Sequence, residues 1–407
     1  MINPSIEEQV TLLMQGTEYG DKILEETMRN ELRERLILAQ KEGRPLKVYC
    51  GFDPRTSDLH LGHTVPMRKQ RQFQELGHEV TFVVGDFTSL IGDPSDKDKL
   101  RPQLTFAQVQ ENANTYAEQA YKILDRKKTK IRFNSEWLSE LTFAELIKLA
   151  SNFTLQQFIR ERENFRLRWD NNDPIYLHET FYGLMQGYDA YMLQADVQIG
   201  GSDQMFNIMT AARKIMVNLG ARPNIAIILG ILPGTDGEVK MSKSLGNHIP
   251  ILSEPEDMFG KVMSVPDKAM GQFMRLVTRW TPEMIAEAEA SVRSGSLHPR
   301  DAKMVIAHEI VSIFHGEESA SKGEEAFRKV FQNKENPDDM PEFTLQPGIT
   351  VLEILSATGL VASKSEGRRM LSQNGVRLDG KTLTDAEAVI AHKGVLQVGK
   401  RRFVRLV

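Results

Sequence analysis

Five short apolar runs, each followed by a stretch of different periodicity, set the limits on how this chain folds. They are LKVYCGF (46–52), EVTFVVGDF (79–87), KIRF (130–133), DVQIGG (196–201) and NIAIILGIL (224–232). Short runs with little polar alternation are what strands covered on both faces look like. Between them, residues 22–42 carry Ile23, Leu24, Met28, Leu32, Leu36 and Ile37 at helical spacing and stop at Gly43-Arg44-Pro45. Further helices are expected over 61–76, closed by Gly77, over about 105–124 and over 203–219. Strands alternating with helices predict an α/β fold, a Rossmann-like doubly wound parallel sheet. Such sheets bind ligands outside the carboxyl ends of their strands. Tyr49-Cys50-Gly51 and Gln198-Ile199-Gly200-Gly201 fall at such ends.

At 407 residues the chain has room for more than one core. The Rossmann-like unit is expected over 1–235, interrupted by a helical insertion at about 134–195. A loop region (236–255), an all-helical domain (256–332), a polar Pro-containing linker (333–346) and a compact α+β module (347–407) follow. The net charge of −4 conceals an asymmetry: residues 348–407 hold ten Lys and Arg against five acids, so the tail is +5 on a body of −9. A basic module on an acidic body implies a polyanionic partner. Its candidates for contact with RNA phosphates are Arg368, Arg369, Lys400, Arg401 and Arg402. KDKLR (97–101) reads as a solvated loop. With Cys50 the single cysteine, an intrachain disulfide and a cysteine metal cluster are both excluded. The N-terminal MINPSIEEQVTLLMQG lacks the basic start and apolar core of a secretory signal, and IAIILGIL (225–232) is too short to span a bilayer. A cytoplasmic enzyme without membrane attachment is expected.

Two strings point to the chemistry. HLGH (60–63) follows the first strand and opens a helix, where exposed N–H groups favour phosphate. His60 and His63 are three apart and share a face, so both can donate to phosphate oxygens, and Gly62 permits close approach. A bare HxGH is as often a pair of structural histidines; a metal site lacks a third ligand at suitable spacing. KMSKS (240–244) follows the fifth strand and the turn Pro233-Gly234-Thr235-Asp236-Gly237, on what reads as a mobile loop. Lys240 and Lys243 can track the β- and γ-phosphates as charge builds on leaving pyrophosphate, with Met241, Ser242 and Ser244 completing the string. Taken alone, a lysine pair is more often a solvated basic loop. The two strings in this order point to an ATP-using enzyme that makes an adenylate.

The strings VYCGFDPRTSDLHLGH (48–63), TSLIGDPS (88–95), YGLMQGYD (182–189), QIGGSDQMFN (198–207) and KMSKS, in that order, resemble the class I aminoacyl-tRNA synthetases, and closely the bacterial tyrosyl enzymes. GLVASKSEGRRMLSQNGVRLDG (359–380) with VGKRRFVRL (398–406) resembles an S4 RNA-binding module, so the resemblance covers nearly the whole chain. The intact KMSKS and a long helical segment at 142–167 place it nearest the type 2 branch. Arg55-Thr56 stands where the family usually has Thr-Ala, so no role is carried to that position. The resemblance implies that Tyr49 and Asp189 meet a tyrosine hydroxyl. It places Asp93, Tyr182 and Gln186 at the substrate ammonium with Gln198 nearby. Gly51, Asp53, Gly201, Asp203 and Gln204 fall on the nucleotide side, with His60, Gly62, His63 and KMSKS at the phosphates. It further implies L-tyrosine, ATP with Mg²⁺ and tRNA(Tyr) as substrates, no permanent cofactor, no resident metal, and a homodimer. The helical 256–332 domain would then contact the anticodon stem. Three rivals stand beside it: a tryptophanyl enzyme, a non-catalytic RNA-binding descendant, and another adenylate-forming nucleotidyltransferase.

Overall fold

The structure, a computed structural model, describes residues 4–54, 58–95, 105–331, 340–399 and 402–407. Helices α1 (Ile6–Met14) and α2 (Lys22–Glu42) precede β1 (Lys47–Phe52). Then come α3 (Leu61–Glu75), β2 (Glu79–Val84), α4 (Phe106–Ala120) and β3 (Thr129–Phe133). The insertion holds α5 (Ser135–Leu138), α6 (Phe143–Ala150), α7 (Leu155–Glu161), α8 (Glu163–Asp170) and α9 (Leu177–Met192). β4 (Val197–Gly201), α10 (Arg213–Asn218) and β5 (Ile225–Leu229) complete the unit. The sheet order is β3-β2-β1-β4-β5 and every pairing is parallel. The chain winds outward from β1 through β2 to β3, then returns to the other side of β1. That makes a crevice at the carboxyl ends of β1 and β4, the switch point where such sheets take ligands. Tyr49 pairs in register with Gln198 across it.

Local chemistry explains the elements. β5 is buried at every position, as expected of a strand with helices on both faces. Asp21 caps α2 by accepting from the Ile23 N–H at 2.7 Å, and Gly43 ends it with φ +65°, a conformation that costs glycine nothing. The sequence reading had no helix at α1. Ser5 and Glu8 form a capping box at its start, and at its end the buried Lys69 of α3 donates to the Leu12 and Gln15 carbonyls at 3.1 and 2.9 Å.

Three expectations are corrected. The long helical segment at 142–167 is three helices, α6 to α8, because Thr154 starts a new capping box and Arg162 leaves helical geometry. The single helix expected over 203–219 is a 3₁₀ turn (Ser202–Gln204), a π-helix (Phe206–Ala212) and α10. The linker boundary also shifts. After α11 (Pro255–Met263), α12 (Met270–Val277), α13 (Pro282–Ser294), α14 (Pro299–His315) and α15 (Glu317–Phe331), a short strand β6 (Glu342–Phe343) lies inside the segment read as linker. α16 (Val351–Ala357), α17 (Lys364–Ser372), β7 (Val376–Leu378), β8 (Lys381–Leu383), β9 (Gly394–Val398) and β10 (Arg402–Leu406) follow. β6 pairs in parallel with β10 in the sheet β6-β10-β9-β7-β8, so the module begins before 347. Val351, Ile354, Leu371, Leu396 and Val404 form its own core.

Candidate active site

The carboxyl ends of β1, β2 and β4 open into a cleft of about 660 Å³. Gly51 lies at its wall with open space where a Cβ would stand, so any side chain there would occupy the cleft. Tyr49, two residues earlier on β1, is 2% exposed, and its hydroxyl donates to the Gln186 carbonyl at 3.4 Å. Burial, then the charge of Asp189, pushes that phenol well above its ordinary range. Asp189 reaches the same floor from α9. Trp137 Nε1–H donates to its Oδ1 at 2.7 Å and Asn134 Nδ2 to its Oδ2 at 3.3 Å. Burial pushes Asp189 up to about 7; the two donors oppose the shift, while Asp53 and Asp86 add to it. An acceptor of this kind, poised between charged and neutral, suits a donor group buried against it.

From Asp189 a chain of hydrogen bonds runs along the floor. Asn134 Nδ2 also donates to Thr88 Oγ1 at 3.1 Å, and Thr88 donates to Asp53 Oδ1 at 2.7 Å. Asp53 Oδ2 accepts from the Tyr182 hydroxyl at 3.2 Å. Gly85 must be glycine here, since a Cβ would collide with both Asp53 Oδ1 and Thr88 Oγ1. Asp93 stands above, its Oδ1 accepting the Ser95 N–H at 2.9 Å and its Oδ2 accepting from Gln204 Nε2. Gln204, expected on the nucleotide side, thus joins the carboxylate expected at the ammonium. Gln186 lines the cleft with a buried Oε1 that has no partner among the described residues.

The other end is built from α3 and the loop after β5. His60 is the N-cap of α3, and its Nδ1 accepts the Gly62 N–H at 3.2 Å; His63 Nδ1 accepts the His60 N–H at 3.2 Å. An Nδ1 that accepts leaves the proton on Nε2, so each neutral ring keeps one N–H to donate. Burial lowers His60 to about 2, helped by His63, and lowers His63 to about 4, helped by Lys240. At neutral pH both are therefore uncharged donors. Lys240 Nζ pairs with Asp203 at 2.8 Å, and Lys243 Nζ with Asp58 at 2.7 Å. The loop expected to be mobile has an anchor, Asn247. It accepts the Ser242 N–H at 2.8 Å and donates to Asp236, and a Cβ on Gly234 would overlap it.

Most sequence-predicted residues converge on this cleft: Tyr49, Gly51, Asp53, His60, Gly62, His63, Asp93, Tyr182, Gln186, Asp189, Gly201, Asp203, Gln204, Lys240, Met241, Ser242 and Ser244 all line it. Three depart from expectation. Gln198 is not among the lining residues; it is 1% exposed with its Oε1 accepting from Asn224 at 3.0 Å. Met241 contributes mostly to the hydrophobic core, at 2% exposure. Lys243 stands outside the cleft lining on its Asp58 partner. Cys50 is buried and its thiol pushed up, as an inert side chain would be. In the C-terminal module Arg368 and Arg369 are exposed, but Arg402 Nη1 donates to the Leu360 carbonyl and pairs with Glu366 at 3.3 Å. Arg55, Thr56, Lys97–Arg101, Lys400 and Arg401 lie outside the described residues. The sequence reading missed Trp137, Asn134, Thr88 and Gly85 as site residues. All four follow the carboxyl ends of β2 and β3, so the strand-end rule was the available signal.

Similarity to known proteins agrees with this geometry. Residues 40–332 match the family described as tRNA synthetases class I (W and Y). The chain is 46% identical over 408 aligned residues to the Tyrosine--tRNA ligase of Moorella thermoacetica, covering 100% of this chain and 97% of that one. It is 47% identical to the Tyrosine--tRNA ligase of Haemophilus influenzae, covering 97% and 96%. Among solved structures, a C-terminally truncated mitochondrial tyrosyl-tRNA synthetase of Aspergillus nidulans shares the fold at TM-score 0.61 and 21% identity, covering 80% of this chain and 93% of that one. The tyrosyl-tRNA synthetase of Archaeoglobus fulgidus complexed with L-tyrosine does so at TM-score 0.60 and 24% identity, covering 79% and 100%. With the parallel sheet, the strand-end cleft and both HLGH and KMSKS in place, the chain belongs to the class I tRNA synthetases of the tyrosine and tryptophan family.

Proposed function

We infer that this chain joins tyrosine to its tRNA in two ATP-driven steps. Tyrosine and ATP give tyrosyl-adenylate and pyrophosphate; the adenylate then passes tyrosine to the 3′-terminal ribose of tRNA(Tyr), releasing AMP. The observation that carries the reading is Asp189, buried beside the Tyr49 phenol at the closed end of a cleft whose other end holds HLGH and KMSKS. The relatives cited, alike over nearly their whole length, are named for tyrosine rather than tryptophan.

The chemistry needs no enzyme nucleophile. The tyrosine carboxylate attacks the α-phosphorus, and the bond to the bridging oxygen of pyrophosphate breaks. Asp189 and Tyr49 hold the substrate hydroxyl, so phenylalanine would leave buried polar groups unpaired. Asp93, Tyr182 and Gln186 receive the ammonium. Positioning and charge stabilisation then supply the rate. The His60 and His63 N–H groups, with Lys240 and Lys243, meet the negative charge that develops on pyrophosphate, and Asp203 takes the ribose hydroxyls. Mg²⁺ arrives with ATP, held by phosphates and water.

The remaining partners follow from surfaces. The exposed Arg368 and Arg369 of α17 support RNA binding by the C-terminal module, and the all-helical 256–332 domain is assigned to the anticodon stem. Phe143, Ile147, Leu155, Trp169 and Leu177 lie exposed on the insertion, an apolar set that supports a homodimer. No helix among the described residues is long and apolar enough to cross a membrane, in keeping with a cytoplasmic site of action. The decisive test is amino-acid-dependent exchange of labelled pyrophosphate into ATP. Exchange with tyrosine and not with tryptophan is expected; equal exchange with both, or none, would overturn the reading.

A further inference from the structure

We infer that Arg162 is a positioning residue for amino-acid recognition: it holds Asp93 in place, aimed at the substrate ammonium. Arg162 sits where α7 breaks from α8, with φ −100° and ψ 110°, and is 2% exposed. Its Nη2 donates to Ser95 Oγ at 2.9 Å and lies 3.8 Å from Asp93 Oδ1. The second contact is Coulombic rather than a hydrogen bond. Ser95 completes the link, because its N–H donates to that same Oδ1 at 2.9 Å. On the far side Gln204 donates to Oδ2 and is itself held by Asn207, whose Nδ2 donates to Gln204 Oε1 at 3.0 Å and to Ser95 Oγ at 3.3 Å. Both carboxylate oxygens are thus fixed, and each keeps a lone pair for an incoming donor.

Packing alone does not account for a cation at this place. Arg162 stacks on Phe165 at 4.7 Å and Phe206 at 5.3 Å, contacts a neutral side chain would also make. Its Nη1 is buried with no partner among the described residues. A buried, incompletely bonded guanidinium is unfavourable for stability unless an opposite charge stands near it. Glu179 also acts on it but is gripped by Arg168 at 2.7 and 2.9 Å. Asp93 is the carboxylate left for Arg162 to serve. The break between α7 and α8, a departure from the expected long helix, is what brings it there.

The inference rests on the assignment of Asp93 to the ammonium, so the test separates the two. Full-length enzyme would be compared with Arg162→Gln, Arg162→Lys and Asp93→Asn by pyrophosphate exchange. Two ligands would serve as competitive inhibitors: tyramine, which has the ammonium and no carboxylate, and 3-(4-hydroxyphenyl)propionate, which has the reverse. Arg162→Gln should weaken tyramine and raise the tyrosine KM by roughly tenfold. The propionate and the ATP KM should stay within about twofold. Arg162→Lys keeps the charge and should recover most of the loss; it also serves if the glutamine variant does not fold. Equal weakening of both inhibitors in either variant would make Arg162 a mere packing residue and overturn the inference. If Asp93→Asn spares tyramine, the ammonium assignment itself falls.

Discussion

At the Asp189 end of the cleft, the carboxylates are held by buried partners; at the KMSKS end, the lysines rest on carboxylates open in part to solvent. Asp189 has Trp137 and Asn134, and Asp53 has Thr88 and Tyr182. Lys240 and Lys243 rest on Asp203 and Asp58 with side chains about half exposed. Exposed pairs of this kind are worth at most about 1 kcal/mol, so they are readily exchanged for phosphate oxygens. Buried networks are not exchanged so cheaply. On the proposed function, selection falls to the rigid end and rate to the movable one: a pocket that must reject phenylalanine cannot yield, whereas lysines that follow a departing pyrophosphate must be free to leave their partners.

The largest effect is expected at Asp189. Asp189→Asn should lower kcat/KM for tyrosine on the order of a thousandfold, measured by pyrophosphate exchange. The same variant carries a stability prediction of opposite sense. Asp189 binds its proton more tightly folded, at about 7, than its ordinary 3.8, so it favours folding at low pH. That contribution is lost as pH rises from about 4 through about 7. The melting temperature of Asp189→Asn relative to the parent should therefore climb between pH 5 and pH 8; a constant difference would remove the case for a strained, buried carboxylate.

Next comes Lys243→Ala, which should slow adenylate formation on the order of a hundredfold while leaving tyrosine affinity unchanged. Equal losses in rate and tyrosine affinity would mean that the two ends are not separate. The smallest effect is expected for Asp58→Asn, which frees Lys243 and should lower the ATP KM by about threefold at low salt. A higher ATP KM would show that the Asp58 pair holds the loop in its working position instead.

Much of this is legible in the sequence alone. Strand positions and α2 follow from apolar spacing and caps, and HLGH and KMSKS from short strings whose residues act together. What escaped detection depends on distant partners. Nothing near Asp189 in the chain marks Trp137, 52 positions away, as its donor, or marks Asp58 as the partner of Lys243 across 185 positions. Gln198 lies outside the cleft lining with its Oε1 taken by Asn224, a partner 26 positions away that the sequence does not mark. The linker hid β6 because two residues have no periodicity to read; only pairing with β10 makes them a strand.

The amino-acid order alone determined the α/β alternation, the phosphate motifs and the basic tail, since each depends on spacing along a few residues. Tertiary structure decided which carboxylates are buried, which cations back them and which are left to solvent. Those properties arise from the winding of the sheet about β1 and from the break between α7 and α8. Burial and distance set charge, and neither is a property of a short stretch of chain.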